Sequence, residues 1–172
     1  RGGRENGGMN VASVAFVNAG MTGANGGLGV LAADDPSMHS SQTEQDSRFY
    51  GKFSFIPVFE PSSQQETYEM VQEAFEYSEH HGIPVLMRLT TRMAHSRAVV
   101  EANEPKAKNE LHYPARTRQW VLMPGNSRIR SNDLLADDAA CARAAGTSRS
   151  LIAHRHCRRH PAVCKSWSAC LL

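Results

Sequence analysis

No acidic residue follows Asp138 in this 172-residue chain, and no cysteine precedes Cys141. Several other absences narrow the possibilities. No apolar run approaches the roughly 20 residues of a membrane-spanning helix, and no signal-peptide pattern opens the chain. A soluble, cytoplasmic protein is therefore expected. Neither charge sign dominates: 19 lysines and arginines face 17 aspartates and glutamates. The chain as a whole has no footprint of a nucleic-acid or membrane-surface protein. No G-x-S-x-G elbow occurs, so a hydrolase triad built from His39, Ser40 or Ser41 and Asp46 has only sequence closeness behind it, and triads are recognised by geometry. The first residue is Arg1 rather than Met, so the natural start is expected to lie upstream.

The missing acids and the late cysteines mark a change of character near Asp138. Arg143, Arg149, Arg155, Arg158, Arg159 and Lys165 share the terminal stretch with His154, His156, His160 and all four cysteines, Cys141, Cys157, Cys164 and Cys170. Its few apolar residues follow neither a helical nor a strand period. Zinc is one reading, since thiolate and imidazole are its usual ligands. The cysteines lack CxxC spacing, however, and Arg158 and Arg159 beside His156-Cys157 repel a cation. A basic nucleic-acid arm is a second reading. Composition favours a third, readthrough past a frameshift. The sequence thus divides into an organised region, 1–130, and an unstructured basic tail, 131–172.

Between Val11 and Arg130 helical and strand patterns alternate. Val11 to Gly20 is small and apolar, which suits a helix packed closely on a sheet. Leu28 to Ala33 suits a buried parallel strand. Ser41 and Glu44 have capping-box spacing and predict a short helix from Thr43, ending at Gly51 with Phe49 and Tyr50 in its last turn. Ile56 to Phe59 reads as a strand closed by Glu60 and Pro61. Ser63 and Glu66 predict the start of the longest helix. Its inner face is Met70, Val71, Ala74, Phe75 and Ser78, and Gly82 is its stop. Ile83 to Met87 is a further strand, leaving into Arg88, Thr90, Thr91, Arg92, His95 and Ser96. Asn103 to His112 reads as a surface connection, and Trp120 to Pro124 as a short strand or packed loop. Strand, polar loop and helix recurring in this order predict an α/β fold with a mainly parallel sheet.

Gly23, Gly26, Gly27 and Gly29 precede the first strand, whereas a dinucleotide fingerprint needs glycines after a strand. They are expected to turn the chain from helix to strand. Beyond the strand, Asp34-Asp35-Pro36 is expected to end it and fix the following loop. A magnesium role for the two carboxylates is less favoured, because hard cations want several oxygen ligands. Ligands in open α/β sheets gather at the carboxyl ends of strands. That rule would bring His39, Gln42, Gln45 and Arg48 near Arg92 and His95, with the arginines offering an anion site. A non-catalytic nucleotide- or anion-binding module is the rival reading; Arg48 as a surface charge and His39 bonding its own loop are the plain ones.

Three blocks carry a more specific signal: ADDPSMHSSQTEQDSRFYGKF (33–53), IPVFEPSSQQETYEM (56–70) and PVLMRLTTRMAHSRAVV (84–100). In sequence and spacing they resemble the alpha subunit of indolepyruvate:ferredoxin oxidoreductase, from about Met9 to Asn132. RQWVLMPGNSR looks like a hand-over to the next domain. The resemblance implies part of a thiamine diphosphate pyrimidine-binding domain, a three-layer α/β/α fold, from an anaerobic enzyme. It implies oxidative decarboxylation of arylpyruvates, with coenzyme A as acyl acceptor, ferredoxin as electron acceptor and a beta subunit as partner. It also implies that thiamine diphosphate with Mg2+ and the [4Fe-4S] clusters are held by other domains. The family's catalytic glutamate is expected upstream; RGGRENGG does not resemble its motif, so no catalytic residue is assigned. Residues expected near substrate or cofactor are Thr22 and Asn25, from the segment before the first strand, with His39 and Gln42 at the site mouth.

Overall fold

A computed structural model describes residues 7–107, 110, 117–145 and 151–152. Three parallel strands make up most of a sheet: β1 (Gly29–Asp34), β2 (Val58–Phe59) and β3 (Val85–Thr90). β3 lies between the other two, and a two-residue strand β4 (Leu151–Ile152) pairs antiparallel with β2 at the far edge. The sheet is mainly parallel, as predicted.

Helices cover both faces. α1 (Gly7–Thr22) and α2 (Arg48–Ser54) lie on one face, where Phe16, Ala32, Ile56, Val58 and Leu86 make a buried cluster flanked by Tyr50. α3 (Gln64–His81) lies on the other, with Met70 and Ala74 packed against Phe59, Val85 and Met87. Two cores on opposite sides of one sheet are what a parallel sheet requires, since both of its faces must be dry. Burying these side chains contributes on the order of 1.5–3 kcal/mol for each large apolar one.

α3 follows its sequence signals closely. The Ser63 side chain accepts from the Glu66 N–H at 3.2 Å, and Gly82 closes the helix at φ +64. Ser78, on the inner face, is fully buried and ties three elements together. Its hydroxyl donates to Ile83 O at 2.6 Å and accepts from Leu28 N at 2.9 Å. Val71 and Phe75, also expected inside, stay exposed because the sheet beneath them ends at β1. Gly23, at φ +80, turns α1 toward β1, and Ala24 N donates to Gly82 O at 2.8 Å, so the two glycine turns sit side by side.

Other expectations need correction. No helix starts at Thr43. Asp35 has already taken the Ser40 and Ser41 N–H groups, and Glu44 accepts from Ser37 N, so the capping-box partners are committed elsewhere. Such side-chain bonds to nearby backbone compete with helix formation. α2 instead begins at Arg48, Gly51 is buried within it, and Phe55 takes the left-handed end position. β3 runs on through Arg88 to Thr90 and leads directly into a short helix, α4 (Thr91–His95).

The region around Trp120 is not a strand. Thr117–Trp120 is a 3-10 turn, and α5 (Pro124–Ala145) follows. α5 returns to this domain: Arg130 Nε donates to Met21 O, Gln119 donates to Thr22 O, and Leu134 is buried. Those donors satisfy carbonyls at the end of α1 that have no partner within the helix. The division placed at 130/131 falls inside α5, so residues 131–145 are helical rather than unstructured. Cys157, Cys164, Cys170 and the tail histidines lie outside the described residues.

Candidate functional site

β1 and β3 are adjacent and parallel with Asp34 opposite Thr90, so their polar exits do share one edge. The segment from Asp35 to Ser47 leaves β1 there without regular structure, and buried aspartates hold it at both ends. Asp35 Oδ2 accepts from the backbone of Ser40 at 2.7 Å and of Ser41 at 2.9 Å. Its Oδ1 accepts from the Thr91 hydroxyl at 2.6 Å, which joins the two strand exits. The Thr91 hydroxyl and these N–H groups hold the Asp35 carboxyl well below its ordinary value of 3.8. At the other end, Asp34 Oδ2 accepts from Ser47 N and Oγ, both at 2.9 Å. The fixing role expected of Asp34-Asp35-Pro36 is what the geometry shows.

A buried cation completes the anchorage. Arg88 lies in β3, side chain 7% exposed, with Nε 2.6 Å from Asp34 Oδ2 and Nη1 paired with Glu60. Arg48 forks onto Asp46 and reaches Glu60 at 3.5 Å. Burial alone would raise the Asp46 carboxyl; the Arg48 side chain and N–H outweigh that and lower it. These three carboxylates and two guanidiniums leave one negative charge. Arg48 is thus neither a plain surface charge nor an anion receptor, and the anion-binding reading keeps only Arg92 of its two arginines. Sequence reasoning put Arg88 in the exit loop. The available signal was a charge inside the apolar run VLMRL, because a charge buried in a strand must be paired.

The residues left pointing outward are the loop's own. Ser37 and Met38 both adopt left-handed backbone, at φ 66 and 54, and lift the chain into an exposed crest. Met38, His39, Ser40, Gln42 and Thr43 are exposed there. Gln45, lower down, accepts from Asn10 at 2.8 Å, which links the crest to the start of α1. Arg92 and His95 are exposed on α4, beside the same edge. The crest offers hydrogen-bonding groups, with Glu44 as its one exposed charge; no metal-holding group of three or more His, Cys, Asp or Glu occurs among the described residues.

Thr22 and Asn25 are not part of this arrangement. Thr22 ends α1, its hydroxyl bonded back to Asn18 O at 3.1 Å, and Asn25 follows before β1 begins. A helix that feeds a parallel strand ends at that strand's amino end. Six residues of β1, about 20 Å at roughly 3.3 Å each, separate this turn from His39 and Gln42. The four residues expected together therefore divide two and two between opposite ends of the sheet.

Known proteins resemble the chain along its sequence. It is 44% identical over 142 residues to indolepyruvate oxidoreductase subunit IorA of Methanothermobacter marburgensis, covering 82% of this chain and 23% of that protein. The IorA subunit of Pyrococcus abyssi is 54% identical over 97 residues, 56% of this chain and 15% of its own length. That of Archaeoglobus fulgidus is 40% identical over 123 residues, 70% of this chain and 20% of its own. The chain thus spans about a fifth of the curated relatives it matches. No family model matches, and no solved structure matches.

Proposed function

Since over most of its length the chain is homologous to one segment of the indolepyruvate oxidoreductase subunit IorA, we propose that it forms one wall of a 2-oxoacid-oxidising site. The reaction is the thiamine-dependent oxidative decarboxylation of arylpyruvates, with coenzyme A taking the acyl group and ferredoxin the electrons. The observation that carries the placement is the Asp35 to Ser47 crest, pinned at both ends by buried aspartates at the carboxyl edge of the sheet.

The residues of this edge suit the pyrimidine side of thiamine diphosphate rather than its diphosphate. A diphosphate needs excess positive charge, and the cluster beneath the crest carries one net negative charge. Magnesium and iron–sulfur clusters likewise belong to the remaining length of an IorA-type protein. Thiamine diphosphate, held at this wall, would supply the nucleophilic and electron-sink chemistry that decarboxylation of a 2-oxoacid needs. His39 and Gln42 supply hydrogen bonds at the site mouth, and Met38 supplies apolar surface. Asp34, Asp35 and Arg88 act through the loop, as positioning residues.

The chain alone is expected to reduce no viologen dye with a 2-oxoacid. The direct experiment replaces the matching stretch of the M. marburgensis subunit with residues 9–132 of this chain, then assays indolepyruvate-dependent dye reduction. Activity within about tenfold of the parent, roughly 1.4 kcal/mol in the barrier, is expected. A folded, thiamine-loaded chimera without turnover would refute the proposal, as would turnover by the isolated chain.

A further inference from the structure

Among the described residues no strand pairs with the outer edge of β1, and the chemistry of that edge shows what it would accept. Leu28 O accepts from Val85 N at 2.9 Å, so it faces β3. Peptide groups alternate sides along a strand, so those of Val30 and Ala32 also face β3, while the N–H and C=O groups of Gly29, Leu31 and Ala33 face outward. The strand itself does not guard that edge: Gly29 to Ala33 contains no lysine, no proline and no charge, the usual defences of a natural edge strand. The side chains repeat the asymmetry. Ala32 and Asp34 are buried beneath the α1 layer, whereas Leu31, opposite Met87 on the α3 side, is 57% exposed. Val71 and Phe75 of α3 stand uncovered on that same face, at 39% and 45%. Val71 also lines a cavity of about 360 Å³ with Leu89 and Met93.

Topology says where the missing neighbour comes from. The connection from β1 to β2 passes over β3 with α2 on one face; the connection from β2 back to β3 carries α3 on the other. Opposite directions with opposite faces give both crossovers one hand, and crossovers in a sheet share their hand. α1 lies on the α2 face and enters β1. For α1 to be a crossover of that hand, the strand before it must lie on the side of β1 away from β3. That side is the open edge.

We propose that the open edge of β1 receives a parallel strand that leads into α1. The strand comes from the part of an IorA-type polypeptide that this chain does not span, and its α3-side residues are apolar and cover Leu31 and Phe75. This inference rests on topology and packing and is independent of the thiamine chemistry.

The experiment co-expresses the full 172-residue chain with the portion of the M. marburgensis subunit that precedes its matched stretch, and follows amide exchange in the chain. In the free chain Leu31 and Ala33 exchange rapidly while Val30 and Ala32 are protected. In the complex Leu31 and Ala33 should slow by about 100-fold or more, as ladder amides do. Leu31→Pro removes an outward N–H and leaves the β3 ladder intact, so it should abolish association; Val99→Pro, on an exposed segment, should leave it unchanged. Failure to associate would overturn the proposal, as would association that leaves both amides at the free-chain rate. Concentration-dependent protection in the chain alone would also overturn it, by assigning the edge to a second copy.

Discussion

Replacing Arg88 with methionine removes the cation from the deepest ion pair while keeping most of the stem. In the native chain Arg88 Nε sits 2.6 Å from Asp34 Oδ2, with side chains 7% and 2% exposed, and a second nitrogen engages Glu60. Arg88→Met leaves the Asp34 carboxylate buried, with its Ser47 donors in place and the Arg88 cation gone. Removing one partner of a buried pair costs about 3–5 kcal/mol, chiefly because the other charge stays desolvated. Domains of this kind are stable by roughly 5–15 kcal/mol, so the loss is a large share. With a urea slope of about 2 kcal/mol per molar, the midpoint should fall by about 1.5–2.5 M in circular dichroism titrations. Adding Asp34→Asn should recover part of the loss, because the stranded charge goes with it; a coupling of about 1–3 kcal/mol is expected. A midpoint moved by less than about 0.5 M, or strictly additive single variants, would refute the view of Arg88 and Asp34 as one anchor.

Other consequences are open to measurement. Asp35 titrates lower in the folded chain than in the unfolded one, so its contribution is complete above the unfolded value and is lost as pH falls from about 5 toward and below its ordinary 3.8. Asp35→Asn should therefore flatten the acid limb of the urea midpoint against pH; an unchanged limb would count against the loop anchor. Gly23→Ala should destabilise more than Gly82→Ala. Both have left-handed backbone, but a Cβ at Gly23 meets Gly82 O at 2.6 Å, whereas one at Gly82 finds Ala24 O at 3.5 Å. The Gly82 change should cost about 1–2 kcal/mol and the Gly23 change more, with the reverse order in thermal melts contradicting the turn geometry. Ser78→Ala strands Leu28 N and Ile83 O and should cost about 1–3 kcal/mol, read by the same titrations; a neutral change would mean that neither bond matters.

Where local chemistry decides, the sequence is readable. α3 carries both caps in its residues, and Gly23 and Gly82 turn where glycines before apolar runs should turn. The shared strand edge follows from parallel order alone. What the sequence hid depends on partners far along the chain. Ser41 and Glu44 have capping spacing, yet Asp35 and Ser37 engage them first. Arg88 looks like loop until Asp34, 54 residues away, makes it a buried ion pair. Thr22 and Asn25 lie near His39 in number but are a strand's length from it in space, because a six-residue strand separates ends that sequence distance does not distinguish. Val71 and Phe75 fit the apolar period of α3, but their exposure follows from where the sheet stops.

That division into two ends gives the most direct test. In the active chimera, His39→Ala with Gln42→Ala should lower kcat/KM for indolepyruvate by at least about tenfold, a loss of roughly 1.4 kcal/mol, with the urea midpoint unchanged. Thr22→Ala with Asn25→Ala should leave kcat/KM within about twofold, or roughly 0.4 kcal/mol. Full activity without His39 and Gln42, or loss of turnover confined to the Thr22 and Asn25 variant, would contradict a site at the carboxyl edge of the sheet.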